Sequence, residues 1–176
     1  VSSGQEEVAA AETAPPPAVD GAQVAEAAGE MARYLTGPGS EDPFALHAEL
    51  QATMQSNVGI FRHRNALAAA VDSLEWFVER AARLRAPVGG AAYNPGWHAC
   101  WDVRNMLTVS EAVTRAALMR EESRGAHSRL DFPEYDEDWA RHNVVVRRDG
   151  DAMRVERRPV VTKSDLAPLG DERKAA

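Results

Sequence analysis

Arg120-Glu-Glu-Ser-Arg-Gly-Ala-His-Ser-Arg-Leu-Asp-Phe-Pro133 divides the chain. Upstream, apolar residues recur at threes and fours, the period of helices; downstream they alternate, the period of strands. Within the stretch, Arg120, Arg124, Arg129 and His127 crowd into ten residues around one glycine. A helix that reaches Glu122 and breaks at Gly125 would place these cations at its negative end, which is favourable. Arginine forks suit carboxylates, phosphates and backbone carbonyls. Pairing with Glu121, Glu122, Asp131 and Glu134, which would pin the loop, stands beside a binding role.

Working back from this stretch, the longest helix is expected from about Trp97 to Glu122. Trp97, Cys100, Trp101, Val103, Met106, Leu107, Val109 and Val113 cover more than one side of it. Such a helix sits inside a bundle or faces another domain. Before it, Asn65 is expected to cap a helix to about Leu84, with Leu67, Val71, Leu74, Phe77, Ala81 and Leu84 inward and a Glu79–Arg83 pair outward. Asp42-Pro43 starts another helix, whose stripe runs from Leu46 through Leu50, Met54 and Val58 to Phe61. Asp20 caps a first helix to about Tyr34, with Val24, Ala27, Ala28, Met31 and Leu35 on one side. On the other side of the dividing stretch, 142–148 and 152–158 flank Asp149-Gly150-Asp151, a hairpin with an Asp-Gly turn. A lone hairpin is marginal in water, so it must pack on the bundle or on another domain.

The expected fold is mainly α: a three-to-four-helix up-down bundle with a C-terminal β-hairpin. The expected organisation is a flexible linker at 1–19, which carries Pro15-Pro16-Pro17, a helical domain at 20–141, the hairpin at 142–160 and a tail at 161–176.

Composition narrows the function. The net charge of -7 argues against a nucleic-acid partner for the whole chain. One cysteine, Cys100, excludes an internal disulfide and a cysteine metal cluster. No apolar run approaches a membrane span, and no signal peptide is visible. His47 and His63 have no second ligand at helical spacing, so metal binding is not expected. His98 is read as packing, hydrogen bonding or stacking on Trp101. Cys100 is read as a small core residue, Glu111–Arg115 as a structural pair, and the acidic run Glu134, Asp136, Glu137, Asp138 as a solvated loop.

Glu122-Ser-Arg-Gly-Ala-His-Ser-Arg129, followed by Asp131-Phe-Pro133, resembles the signature near the C-terminus of the flavoprotein subunits of succinate dehydrogenases and fumarate reductases. L-Aspartate oxidase carries a related form. Leu50-Gln-Ala-Thr-Met-Gln-Ser-Asn-Val-Gly-Ile-Phe-Arg62 is similar to the segment that opens the helical C-terminal domain of that family. Asp102-Val-Arg-Asn-Met-Leu107 resembles the start of its long helix, and Tyr93-Asn-Pro-Gly-Trp-His98 the linker of one bacterial branch. The likeness runs from about Pro43 to the end.

This resemblance implies a C-terminal structural domain of such a subunit, in which FAD exchanges a hydride between succinate and fumarate and electrons pass to an iron–sulfur subunit. FAD and the catalytic groups are implied upstream, so this chain is expected to bind no cofactor or metal and to be inactive alone. Arg120, Ser123, Arg124, His127 and Arg129 are then expected to dock the domain on the FAD-binding domain, with no catalytic role. The implied location is the bacterial cytoplasm, or the cytoplasmic face of the inner membrane through partner subunits. The alternatives are a stand-alone helical interaction module, with the long apolar helix as its partner surface, and the C-terminal domain of L-aspartate oxidase.

Overall fold

The computed structural model describes residues 19–87, 89–90 and 92–162. Of the expected linker at 1–19 only Val19 is described, and of the expected tail at 161–176 only Val161 and Thr162; the rest of both lies outside the described residues. Among the described residues, four α-helices and a C-terminal antiparallel strand pair make the protein mainly α. The helices are α1 (Gly21–Thr36), α2 (Pro43–Asn57), α3 (Arg64–Ala81) and α4 (Pro95–Met119). The hairpin strands are β3 (His142–Asp149) and β4 (Ala152–Pro159). Two short strands, β1 (Phe61–Arg62) and β2 (Ser128–Arg129), pair in parallel.

Local chemistry sets the helix starts. The Asp20 and Asp42 carboxylates accept from Ala22 N at 2.9 Å and Phe44 N at 2.8 Å. Asn94 does the same for Gly96 at 2.9 Å, with Pro95 in the first turn of α4. The cap of α3 is His63, not Asn65: His63 Nδ1 accepts from Asn65 N at 3.2 Å.

The core lies among α2, α3 and α4. Leu46, Leu50, Leu74, Phe77, Val103 and Leu107 meet in one cluster, and Val58, Leu67, Ala70 and Ala117 in a second. Cys100 is buried in the first cluster, and burial pushes its thiol up to about 11, so it behaves as a small apolar residue.

Several expectations shift. The stripe of α2 does not run on to Phe61: the helix stops at Asn57, and Phe61 turns outward. A side chain at Gly59 would come within 2.8 Å of Gln55 O, so the chain can turn there and enter β1 only with glycine. Helix α3 stops at Ala81, so Arg83 leaves the helical register and reaches Glu41 at 3.2 Å instead of Glu79. Leu84 is nevertheless buried, held by a parallel bridge to Glu41. Helix α4 ends at Met119 rather than Glu122. Helix α1 buries Tyr34 and exposes Val24, because its contact with the bundle is made by its C-terminal half. There Ala86 N donates to Tyr34 O at 2.9 Å, and Arg104 Nη1 donates to Tyr34 Oη at 3.0 Å.

The hairpin turns on Gly150 and Asp151, since Asp149 pairs with Ala152. Gly150 takes φ +62°, as a two-residue turn requires. Arg157 holds the hairpin to the short 3-10 turn Trp139–Arg141, with its guanidinium carbon 4.3 Å from the Trp139 ring centre and an ion pair to Asp138.

Replacing the fully buried Leu67 by alanine should cost about 2–5 kcal/mol in urea unfolding. Val109→Ala, on the exposed side of α4, should change stability by less than about 0.5 kcal/mol.

Candidate functional site

Helix α4 leaves its last carbonyls without helical partners, and the arginine-rich loop returns to meet them. Arg129 is fully buried. Its Nη1 donates to Ala117 O at 3.0 Å, Leu118 O at 3.2 Å and Arg120 O at 2.9 Å. Its other edge holds Asp131 in a fork, Nε to Oδ1 at 2.8 Å and Nη2 to Oδ2 at 2.7 Å. The expected placement of cations at the negative end of the long helix is therefore realised, three residues earlier than the sequence suggested.

A second buried charge organises the far side of the loop. Glu122 is fully buried and accepts from Arg124 Nε and Nη2, both at 2.9 Å, from Asp136 N at 3.0 Å, and from Arg120. Burial alone would raise the Glu122 pKa, but Arg124, the Asp136 amide and Arg120 outweigh it and hold it near 2. Arg124 stacks 3.8 Å from the Tyr135 ring centre, and Arg120 lies 5.2 Å from that of Trp139.

Ser123 and His127 lock the loop between these two charges. Ser123 Oγ donates to Phe132 O at 2.9 Å and accepts from Arg129 N at 2.8 Å. Arg124 and His127 exchange backbone hydrogen bonds at 2.8 and 3.0 Å around Gly125, which takes φ +57°. His127 Nδ1 faces the Arg62 guanidinium, which can only donate, so the ring proton sits on Nε2 and is given to Arg120 O at 3.1 Å. Burial lowers the His127 pKa; the Arg120 carbonyl opposes this, and the Arg62 charge reinforces it.

The loop is also tied to the start of α3. Ser128 N donates to Ile60 O at 3.2 Å and Leu130 N to Arg62 O at 2.8 Å, forming the β1–β2 pair. Asp131 accepts from Arg64 N at 3.1 Å. These links involve sequence separations above sixty residues, and no periodicity marks them. Arg62 is the participant that sequence reasoning missed as a functional neighbour of His127.

The five residues singled out in the sequence, Arg120, Ser123, Arg124, His127 and Arg129, thus converge on one block. Their polar heads are engaged internally with Glu122, Asp131 and backbone carbonyls. Glu121, expected as a partner of these arginines, pairs with Arg64, and Glu134 contributes its carbonyl to Ser123 N at 3.0 Å. Asp136 and Asp138, expected as a solvated acidic run, also take part: Asp136 binds Glu122 through its amide, and Asp138 pairs with Arg157.

The remaining candidates are structural. Glu111 and Arg115 pair at 2.7 Å. His98 stacks on Trp97, with ring centres 3.5 Å apart, rather than on Trp101. His47 lines a groove with Leu50, Met54, Met106 and Val109. Among the described residues no three His, Cys, Asp or Glu side chains converge on a metal position, and no helix is long and apolar enough to cross a membrane.

Two measurements follow from this geometry. Arg129→Ala should destabilise the fold by about 3–5 kcal/mol, because it leaves Asp131 and the helix carbonyls unpaired, and Arg129→Lys should fail to restore the fork. Urea midpoints should fall as pH drops below about 6.5, where the unfolded chain protonates His127 before the folded one does. They should fall further below about pH 4.3, as the stability that ionised Glu122 confers is lost towards pH 2. His127→Gln should flatten the first decline and leave the second.

Residues 47–172 match the family described as fumarate reductase flavoprotein C-term. The fumarate reductase flavoprotein subunit of Mycobacterium tuberculosis is 35% identical over 132 residues, which cover 74% of this chain and 22% of that subunit. The Mycobacterium smegmatis Sdh1 complex contains a chain that superposes with a TM-score of 0.78 at 36% identity, covering 94% of this chain and 30% of that one. The E. coli quinol fumarate reductase superposes with a TM-score of 0.77 at 27% identity, covering 89% and 28%. This chain therefore spans between a fifth and a third of these three relatives, in their C-terminal region. With its loop folded around Arg129 and Glu122 and its likeness covering most of its length, the chain belongs to the C-terminal domain family of succinate dehydrogenase and fumarate reductase flavoprotein subunits.

Proposed function

We propose that this chain is the docking and bracing domain of a flavoprotein subunit that interconverts succinate and fumarate. In this reading FAD is held by a separate FAD-binding domain of the same subunit, and electrons pass to an iron–sulfur subunit. The assembly works in the bacterial cytoplasm or on the cytoplasmic face of the inner membrane, attached through its partners. The chain's own residues do not fit a flavin-nucleotide site. Among the described residues the one strand–turn–helix, at β1 and α3, turns on His63 and carries no glycine run to cradle a pyrophosphate.

One observation carries the docking role. The loop that ends α4 is rigidly cross-braced, yet it raises an apolar cluster at the surface beside it. Ile60, Phe61 and Leu130 are 60%, 71% and 63% exposed; the β1–β2 register, with Phe61 opposite Ser128, puts Phe61 and Leu130 on one face, and Ile60 adjoins Phe61 in the chain. Large apolar side chains grouped on a surface mark a contact with another body. Arg120, Ser123, Arg124, His127 and Arg129 act through this cluster: they fix the shape of the loop, and the apolar side chains meet the FAD-binding domain.

The test mixes the chain with a separately expressed FAD-binding domain of the same family and follows flavin retention and succinate-dependent dye reduction. Retention or turnover only in the mixture is the expected result. Phe61→Asp combined with Leu130→Asp should abolish it while the melting temperature of the chain stays within a few degrees. A stable, folded chain that does not associate would overturn the docking role.

A further inference from the structure

The outer face of the hairpin is not explained by docking through the arginine loop. Val144, Val146, Met153 and Val155 are half-buried on the face turned to the bundle. The opposite face carries Arg147 directly across from Arg154, with Glu156 and Arg158 next along β4. Like charges directly opposite each other weaken a strand pair, and a two-stranded sheet has little stability to spare. The side chains of Arg147, Arg154 and Arg158 are 52%, 64% and 47% exposed.

Glu156 is the carboxylate that the three arginines share, and Asp149 ends the same face beside Arg147. Arg147 Nε lies 3.5 Å from its Oε1 and Arg154 Nε 3.6 Å from its Oε2, with Arg158 also paired to Oε1. Oε1 is nevertheless buried without a hydrogen bond of good geometry. Glu156 thus acts as a shared counter-ion rather than a clamp, and with Asp149 at the end of the same face one positive charge remains there. From residue 141 to 158 there are six arginines against Asp149, Asp151 and Glu156, on a chain whose net charge is -7. The hairpin is a basic outcrop on an acidic body, and among the described residues no third strand pairs with either of its edges.

We propose that this outer face, built on Arg147, Arg154 and Arg158, docks a carboxylate-rich segment of another polypeptide. Arginine forks bind carboxylates in pairs, and the six arginines against three carboxylates from 141 to 158 favour an acidic partner. An extended acidic segment can also pair with an open strand edge. The face carries no aromatic side chain on which nucleic-acid bases could stack. The face offers Val145 but no large apolar side chain to enter a lipid surface. The proposal does not depend on the flavoprotein reading.

The experiment measures fluorescence anisotropy of labelled poly-L-glutamate with the full chain at low ionic strength. Binding should weaken as salt is added. Arg147→Glu combined with Arg154→Glu should weaken it about tenfold or more. Arg33→Glu combined with Arg85→Glu makes the same change in net charge elsewhere and should stay within about twofold of the unaltered chain. Arg154→Gln, which relieves the cross-strand repulsion and leaves the hairpin intact, should still lose about threefold. Circular dichroism confirms the fold of each variant. Absent binding, equal loss in both charge-reversed pairs, or tighter binding to single-stranded DNA or to phosphatidylglycerol vesicles would each overturn the proposal.

Discussion

A buried guanidinium at the end of a long helix is the constraint on which the rest of this structure depends. Arg129 answers the open carbonyls at the C-terminus of α4 with one nitrogen and clasps Asp131 with the others. A cation taken out of water is tolerable only when paired and hydrogen-bonded, so Asp131 must stay ionised and in register. The Arg129 fork holds its carboxyl well below the usual range, against the opposing effect of burial. Because Asp131 also takes the Arg64 amide, the same pairing fixes where α3 begins relative to where α4 ends.

Glu122 repeats the logic with the sign reversed. One buried carboxylate gathers Arg120, Arg124 and the Asp136 amide, and through Arg120 reaches the carbonyl of His142 at 3.3 Å. The hairpin is thereby joined to the end of the bundle, with Trp139 between the cations of Arg120 and Arg157. Two opposite buried charges, each fully partnered, make the loop a block rather than a flexible connection. A block of this kind can present Ile60, Phe61 and Leu130 in fixed relation to one another, as an interface requires.

The arginines of this protein therefore perform two different tasks. Those of the loop are consumed internally, where they shape a surface without forming it. Those of the hairpin's outer face share one carboxylate and keep exposed forks. Sequence alone does not separate the two groups, since both are arginines interleaved with acidic and apolar residues. Burial and register separate them: Arg129 lies under the loop, whereas Arg147 and Arg154 stand opposite each other on the open side of a sheet.

By itself the sequence determined the helical class, the caps at Asp20 and Asp42, the buried stripes of α2 and α3, the hairpin, and the loop that matters, because periodicity, capping and turn chemistry are local. The family signature was legible for the same reason, as a contiguous run from Glu122 to Pro133. Tertiary structure decided what crosses long intervals. His63 displaced Asn65 as a cap, α4 stopped at Met119 once Arg129 and His127 supplied partners for its carbonyls, and Phe61 turned outward to form the β1–β2 pair. Each of these depends on a partner that a returning loop or a distant segment brings in, or on competition between two nearby groups. Helical periodicity carries neither kind of information, and only the packed chain resolves them.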